Sequence, residues 1–508
     1  MKYPPLGIAY IAAVLEKTGC EVEVLDLSAL NARFTRGDVV REVMKIQPDF
    51  VAMYFNIAFA YSNYQLVHKL REAGFDKPVI GGGHHATIRP DELMDHGVDF
   101  VCRGDAEETM VQLVEHLNGR GDLQSIEGLS YRDGQGEHTH NPIGNIRHPR
   151  PDELPFPAVH LFRPHEYYPE HNNRFPIACM SFSRGCPYTC SYCFESKYHG
   201  AYSVRSVDSV IEEMTMLRDR YDTKFVIFVD DAFSIDRKRV VELCERMLDI
   251  KLGLKWSCTT RFDTMTPETL ELMKKAGCEW VIYGIESLDK ETLQQVKRRS
   301  HLDTLVAVLE NTRKAGIKIE VNFMFGWPWD NKTSLQTTLE SIKLYSRYVD
   351  RIGHHGNVIP LPGTTFYDDY KDQYDYEDWW LQRDFGLKYG MLQTQPFFRT
   401  FHFEDYGFFN FFNHSRASRR QMRKIINHIG SFNTRQRTST WRSRYFFIAL
   451  TKLSYLTFPI SPALERVVTR GPMRLFERYQ QWKLGLRLKH VDSSQERFSP
   501  EARSGVKL

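Results

Sequence analysis

Three of the nine cysteines fall in one short run, Arg184-Gly185-Cys186-Pro187-Tyr188-Thr189-Cys190-Ser191-Tyr192-Cys193, with the spacing Cys186-x3-Cys190-x2-Cys193. Thiolates crowded this closely repel one another, and a bound metal relieves each charge as it forms. A structural zinc asks for four closed ligands, and no fourth cysteine stands near. Three thiolates on a cubane iron–sulfur cluster instead leave one iron open to a small molecule. The other six, Cys20, Cys102, Cys179, Cys244, Cys258 and Cys278, are scattered singly and are expected to pack as small apolar side chains. Such usage is no disulfide scaffold and points to the reducing cytoplasm.

The triad needs a frame. Alternating strand and helix patterns run from Ile177 to about residue 365. Strands are expected at Ile177–Ser181, Phe225–Val229, Lys255–Thr259, Trp280–Gly284, Lys318–Phe323 and Arg351–Val358, with helices between them. Six such repeats make a partial (β/α)6 barrel, and the cysteines directly follow its first strand. Functional side chains of parallel barrels gather at the carboxyl ends of the strands. Those ends read Phe228-Val229-Asp230-Asp231, Thr260-Arg261-Phe262-Asp263, Tyr283-Gly284-Ile285-Glu286-Ser287, Phe325-Gly326-Trp327-Pro328 and Pro360-Leu361-Pro362-Gly363-Thr364.

A second α/β pattern fills residues 1–125 and reads as a doubly wound, Rossmann-like sheet domain. Helices are expected at Leu6–Lys17, Val39–Ile46, Tyr64–Ala73, Pro90–His96 and Glu107–Leu117, and strands at Glu21–Asp26, Phe50–Phe55, Pro78–Ile80 and Asp99–Cys102. The pattern opens on a helix, so the first strand of the fold, expected ahead of Pro4-Pro5, is missing. Residues 126–175 read as a hairpin (Gly128 to Thr139) and a proline-rich linker, 176–365 as the barrel, and 366–508 as an aromatic-rich and then basic helical extension.

The chain has 508 residues, 42% hydrophobic and 13% aromatic, which excludes disorder and calls for more than one domain. Its net charge of +3 hides an asymmetry. From His414 to Leu508 there are 15 Arg, 5 Lys and 5 acidic residues, a balance of +15, against −12 for the rest. The tail with its apolar run Trp441–Phe458 reads either as a dock for an anionic lipid or partner or as a solvated appendage on an acidic body. No apolar run reaches the roughly 18 residues of a spanning helix, and no polyanion partner such as a nucleic acid is expected.

The triad, with aromatic Tyr192 before its last cysteine, resembles the signature of radical S-adenosylmethionine (SAM) enzymes, and the likeness covers about residues 177–365. It implies that Cys186, Cys190 and Cys193 hold a [4Fe-4S] cluster whose open iron chelates SAM. An electron from a flavodoxin- or ferredoxin-type donor would then cleave SAM to methionine and a 5′-deoxyadenosyl radical. The chain's task would be to orient the sulfonium and exclude water. Carried over strand by strand, Tyr192 lies at the cofactor and Asp230 would accept from the SAM ammonium. Arg261 would pair with its carboxylate as a bidentate donor, and Glu286 would accept ribose hydroxyls. Asp230 and Asp231 read equally as helix N-caps. Trp327-Pro328-Trp329-Asp330 departs from the more usual Leu-Pro-Gly-Glu.

The first 120 residues resemble the cobalamin-binding domain fused to many such enzymes. The matching pieces are Tyr3-Pro4-Pro5-Leu6-Gly7-Ile8, Gly19-x-Glu21-Val22-x-Val24-x-Asp26, Pro48-Asp49-Phe50-Val51, Gly81-Gly82-Gly83-His84 and Arg103-Gly104-Asp105-Ala106-Glu107-Glu108-Thr109. Glycines past a parallel strand let backbone approach a macrocycle. The resemblance implies cobalamin contacts at Pro5, Leu6, Gly7, Gly81, Gly82, Gly83, His84, Gly104 and Glu108. With no Asp-x-His-x-x-Gly, no histidine is expected below the cobalt.

The implied activity is methylation of an unactivated carbon in a small biosynthetic intermediate. Anaerobic oxidative cyclisation of a tetrapyrrole uses the same parts. A non-catalytic corrinoid or iron–sulfur redox sensor is the alternative from another class. A tRNA methylthiotransferase is excluded, because only Cys20 and Cys102 lie in the first domain. The aromatic run Phe366 to Phe412 reads as a C-terminal core or as the wall of a large apolar pocket. Peripheral contact with a membrane would go through the basic tail.

Overall fold

The computed structural model describes residues 5–26, 36–147, 150–162, 177–195, 202–381 and 410–437. All of them belong to one compact unit. Within it the amino-terminal elements are α1 (Leu6–Lys17), α2 (Arg36–Ile46), β1 (Val51–Tyr54), α3 (Ala60–Glu72), β2 (Val79–Gly82), α4 (His84–Ile88), α5 (Pro90–Asp95), β3 (Phe100–Cys102), α6 (Glu107–Leu117), β4 (Leu129–Arg132) and β5 (His138–His140). The five strands form one sheet in the order β1-β2-β3-β4-β5. The first three are parallel, and the expected hairpin adds β4 and β5 antiparallel to that same sheet.

One expected strand is corrected. Glu21–Asp26 alternates between half-buried and exposed side chains as a strand does, yet joins no ladder among the described residues. A strand is stabilised by its pairing. Alternation by itself supplies no partner.

The barrel follows as β6 (Ile177–Met180), β7 (Ser183–Gly185), β8 (Tyr202–Val204), α7 (Val207–Tyr221), β9 (Phe225–Phe228), α8 (Arg237–Asp249), β10 (Lys255–Thr260), α9 (Pro267–Lys275), β11 (Cys278–Glu286), α10 (Lys290–Gln295), α11 (Leu305–Lys314), β12 (Lys318–Phe325), α12 (Lys332–Tyr345), β13 (Arg351–Asn357) and α13 (Thr365–Tyr374); α14 (Arg416–Arg437) comes last. Six parallel strands lie in the order β13-β12-β11-β10-β9-β6, an open half-barrel with all carboxyl ends on one edge. β7 and β8 form a separate antiparallel pair, so a short ribbon stands between the first barrel strand and the cysteines.

The barrel helices start where the side chains cap them. Ser206, Asp236, Thr266, Asp289 and Thr364 each accept a backbone N–H in the first turn, and Asn331 and Ser334 form a capping box. The cap of α8 is therefore Asp236, not Asp230 or Asp231. Trp256, Phe228, Val281, Tyr283 and Ile319 of the strands are fully buried in one core with Leu309 of α11. Tyr283 keeps its buried hydroxyl paired with Thr312 Oγ1 at 2.8 Å.

The carboxyl-terminal segments are structural. Helix α14 carries no acidic residue; Arg416, Arg420, Arg423 and Lys424 are exposed, while Met422, Ile425, Ile426 and Ile429 bury in the barrel core. The aromatic segment does not form a core of its own. Phe366, Tyr367, Tyr376, Trp379, Trp380, Phe411 and Phe412 pack in one cluster with Phe55, Tyr64 and Leu70 of the amino-terminal domain and with Trp327 of the barrel. Trp380 Nε1 donates to Glu92 at 3.0 Å, and Glu92 also takes Tyr64 OH at 2.6 Å and His85 Nε2 at 2.9 Å. The rest of 366–508 lies outside the described residues, including the run Trp441–Phe458.

Candidate cofactor site

The cysteine loop leaves β7 at Gly185, whose φ of +79° turns the chain sharply. Ser191 anchors it: its N–H donates to Val296 O at 3.0 Å, and its carbonyl accepts from Phe366 N at 3.0 Å. Cys193 N–H donates to Cys190 O at 3.0 Å, closing a turn between the last two cysteines. None of the three forms a disulfide; Cys190 is buried, while Cys186 and Cys193 are partly open. Burial pushes the Cys186 thiol up to about 11, with Asp231 and Glu195 adding to it, and raises Cys193 for the same reasons. Bare Cys186 and Cys193 stay protonated at neutral pH, so a cationic metal is what would convert them to thiolate ligands. Three cysteines outside any disulfide in one loop fit a cluster that keeps one metal position open.

The strand ends place the other expected residues unevenly. Asp230 is buried and accepts from Phe182 N at 3.0 Å, Ser183 N and Ser183 Oγ at 2.6 Å. Its oxygens hold the turn between β6 and β7. Burial raises its carboxyl to about 6. Asp231 is exposed, yet the surrounding protein and Glu195 raise its carboxyl, as on the wall of a cleft.

Arg261 has Nε and Nη2 engaged by the protein, while its Nη1 is buried without a hydrogen-bond partner. Asp263 takes its fork at 2.9 and 2.6 Å, Arg299 O takes Nη2 as well, and the guanidinium lies 4.2 Å over the Tyr188 ring. The arginine at the cysteines is Arg298, which the sequence reading missed. It lies 4.0 Å from Cys190 Sγ and 3.4 Å from Tyr192 OH, and donates to Gly284 O. Its Nε is buried without a hydrogen-bond partner. The doublet Arg298-Arg299 just past a short helix was the available signal.

Glu286 ends β11 at a bulge, in left-handed backbone at φ +69°. Strain of this kind collects at functional sites. Gly284 makes room for it: a Cβ there would lie 2.5 Å from Glu286 Oε1. Glu286 and Arg298 both bear electrostatically on Tyr192. Glu286, Arg298, Tyr192 and the cysteines thus form one neighbourhood.

Trp327 and Trp329 stack at 5.6 Å, and Tyr192 meets Trp327 edge-on at 5.7 Å. Asp330 caps the Gly326 and Trp327 amides at 2.8 and 3.0 Å. The two tryptophans therefore pack against the cysteine loop.

The carboxyl edge of the amino-terminal sheet borders the same loop. Gly81, Gly82 and Gly83 end β2 and lead to His84. Gly83 has φ +102°, and a Cβ on it would meet the Tyr54 ring at 2.5 Å. The His84 ring contacts Phe194, next to Cys193, at 4.6 Å. Tyr54 and His84 are exposed, yet the surrounding protein raises the Tyr54 hydroxyl and lowers the His84 imidazole. Tyr54 OH and His84 Nδ1 lie 3.5 Å apart beside the glycine run, next to the cysteine loop. Gly104 N–H donates to Thr87 Oγ1 at 3.0 Å and so stays beside α4. Pro5 and Leu6 start α1, and Gly7 is exposed with open space around it. Glu108 departs from the expectation. It is exposed, in a shallow recess with Val14, Val111, Gln112 and Leu154, while buried Glu107 pairs with Arg184.

Comparison with known proteins agrees with this arrangement. Residues 180–342 match the model of the radical SAM superfamily, and residues 1–114 that of the B12 binding domain. An uncharacterized methyltransferase of Pyrococcus horikoshii is 28% identical over 379 residues, covering 72% of this chain and 78% of its own. The anaerobic magnesium-protoporphyrin IX monomethyl ester cyclase of Rubrivivax gelatinosus is 26% identical over 387 residues, covering 74% and 68%. The fold is that of the cobalamin-dependent S-adenosylmethionine radical enzyme OxsB, solved with aqua-cobalamin and S-adenosylmethionine, at a TM-score of 0.66 and 15% identity over 94% of this chain and 73% of that one.

Proposed function

Because the chain belongs to the radical SAM enzymes that carry a B12 binding domain, we propose that it methylates an unactivated carbon of a small biosynthetic intermediate. Its cofactors are a [4Fe-4S] cluster, S-adenosylmethionine and cobalamin. When bound, the cluster supplies the electron that cleaves SAM, and cobalamin supplies a methyl carrier. Cys186, Cys190 and Cys193 are the cluster ligands in this reading. Arg298 receives the SAM carboxylate, Glu286 its ribose hydroxyls, and Tyr192 lies against the bound molecule. Gly81, Gly82, Gly83, His84 and Gly104 line the cobalamin cleft, with Pro5, Leu6 and Gly7 at its margin. Trp327 and Trp329 exclude water from the side where a radical forms.

The observation that carries this reading is the contact of His84 with Phe194, which brings the glycine edge and the cysteine loop to one cleft. The test is incubation of the reduced, cluster-loaded chain with SAM. Formation of 5′-deoxyadenosine is expected, with a product heavier by one methylene unit. A product that has lost hydrogen without gaining carbon would mark a ring-forming enzyme instead. No 5′-deoxyadenosine with cluster and SAM bound would leave a non-catalytic sensor.

The reductant in this reading is a flavodoxin- or ferredoxin-type protein, and the cytoplasm suits the free thiols. No described helix is long and apolar enough to cross a membrane. The basic tail gives peripheral contact with anionic lipid. Because α14 is part of the barrel core, the variant that tests this removes residues 438–508 only. It should stay behind when anionic vesicles float the full chain; equal flotation of both rejects lipid docking by the tail.

A further inference from the structure

Five buried charged side chains lie between the amino-terminal sheet edge and the cysteine loop. Arg184, two residues before Cys186, donates to Asp105 at 2.8 Å and to Glu107 at 2.8 Å, with its guanidinium 4.7 Å over the Tyr10 ring of α1. Arg147, from the segment after the hairpin, pairs with Asp105 at 3.2 Å and with Glu195, two residues past Cys193. The side chains of Arg184, Arg147, Asp105, Glu107 and Glu195 are 13%, 14%, 11%, 5% and 8% exposed. Buried ion pairs add little net stability, and their best attested use is to fix register. Here they fix the two ends of the cysteine loop to the loop that follows β3. The Glu195 N–H also donates to the Cys193 thiol, and the Glu195 carboxylate bears electrostatically on Cys186 and Cys193.

We propose that Arg147 and Arg184 clamp the cysteine loop onto the amino-terminal sheet edge, and that Arg147, by covering the charge of Glu195, sets the reduction potential of the cluster. The inference rests on the reading that Cys186, Cys190 and Cys193 hold that cluster. Reduction adds a negative charge to the cluster. An uncovered Glu195 opposes it, and a neutral residue at 195 favours it. Arg147 and Glu195 are positioning residues: they act through the loop and touch no reacting atom.

The test is potentiometry of the cluster-loaded full chain, followed by the electron paramagnetic resonance signal of the reduced cluster. At a fixed potential near the parent's midpoint, Arg147→Gln should lower the ratio of reduced to oxidised cluster about tenfold, which is about 59 mV for a one-electron couple. Glu195→Gln should raise the ratio by a similar factor. The double variant and Arg147→Lys should return within about threefold of the parent. A purely structural role moves both single variants the same way, or neither, and either result overturns the proposal. Should Arg147→Gln fail to take up a cluster, an unmoved Glu195→Gln overturns it alone. Absence of any cluster signal in the parent chain would instead overturn the cluster assignment itself, and this inference with it.

Discussion

Cys190→Ala is expected to lose the brown absorbance of the reconstituted protein and with it all formation of 5′-deoxyadenosine. Cys190 is the most enclosed of the three thiols, at 6% exposure, and nothing nearby replaces it. The two thiols left cannot hold a cubane cluster that also keeps an open site. The fold should survive, because the loop is pinned by the backbone of its neighbour Ser191 rather than by the thiol. Circular dichroism and the unfolding midpoint check that. Cys179→Ala is the matched control: its thiol is equally buried, on β6 against Ile177 and Ile227, and its cluster should form normally. Retained SAM cleavage by Cys190→Ala would refute the ligand assignment.

Arg298→Met is expected to weaken SAM binding about 100-fold, by equilibrium binding to the cluster-loaded chain, while cluster content stays near the parent's. A charge-assisted bond from a buried guanidinium to a carboxylate is worth about 1.5–3 kcal/mol, and the roughly 1.4 kcal/mol per tenfold rule converts its upper end to that factor. The buried Nε without a partner is the donor left over for such a bond. Arg298→Lys should recover only part of the affinity, since an ammonium has no planar fork. Arg261→Gln is the informative contrast. Asp263 holds its Nε and Nη2 and leaves only Nη1 buried without a partner, so its loss should disturb the Tyr188 side of the loop and leave SAM affinity within about tenfold of the parent. A large loss of affinity in Arg261→Gln with none in Arg298→Met would reverse the two roles.

The contrast between these arginines shows where reading along the chain stops. Arg261 and Asp230 stand at strand ends, where barrel topology puts ligand-binding groups, and both were expected to face a ligand. Each is instead claimed by protein partners close at hand: Asp263 two residues on, and the turn at Phe182–Ser183. Arg298 is past the end of α10, off any strand, and reaches Cys190 only because Val296 O holds the Ser191 amide. Glu107 and Glu108 are adjacent and chemically alike. The helical turn at the start of α6 buries one and exposes the other.

The amino-acid sequence by itself determined the local and the covalent. Helix α1 at Leu6–Lys17 and helix α6 at Glu107–Leu117 follow from apolar spacing. The parallel barrel follows from strand–helix alternation, and the proposal of a cluster at the cysteine triad follows from its spacing in one loop. The tertiary structure decided what depends on a partner distant in the chain. It left Glu21–Asp26 without a ladder, because pairing needs a neighbour that alternation cannot specify. It placed the aromatics at 366–380 and 411–412 in one core with Phe55, Tyr64 and Trp327, because apolar burial is non-directional and carries no address. It brought Arg147 and Glu195, 48 residues apart, into contact beside the cysteine loop. Electrostatic partners are chosen by proximity in space, and only the packed fold sets that proximity.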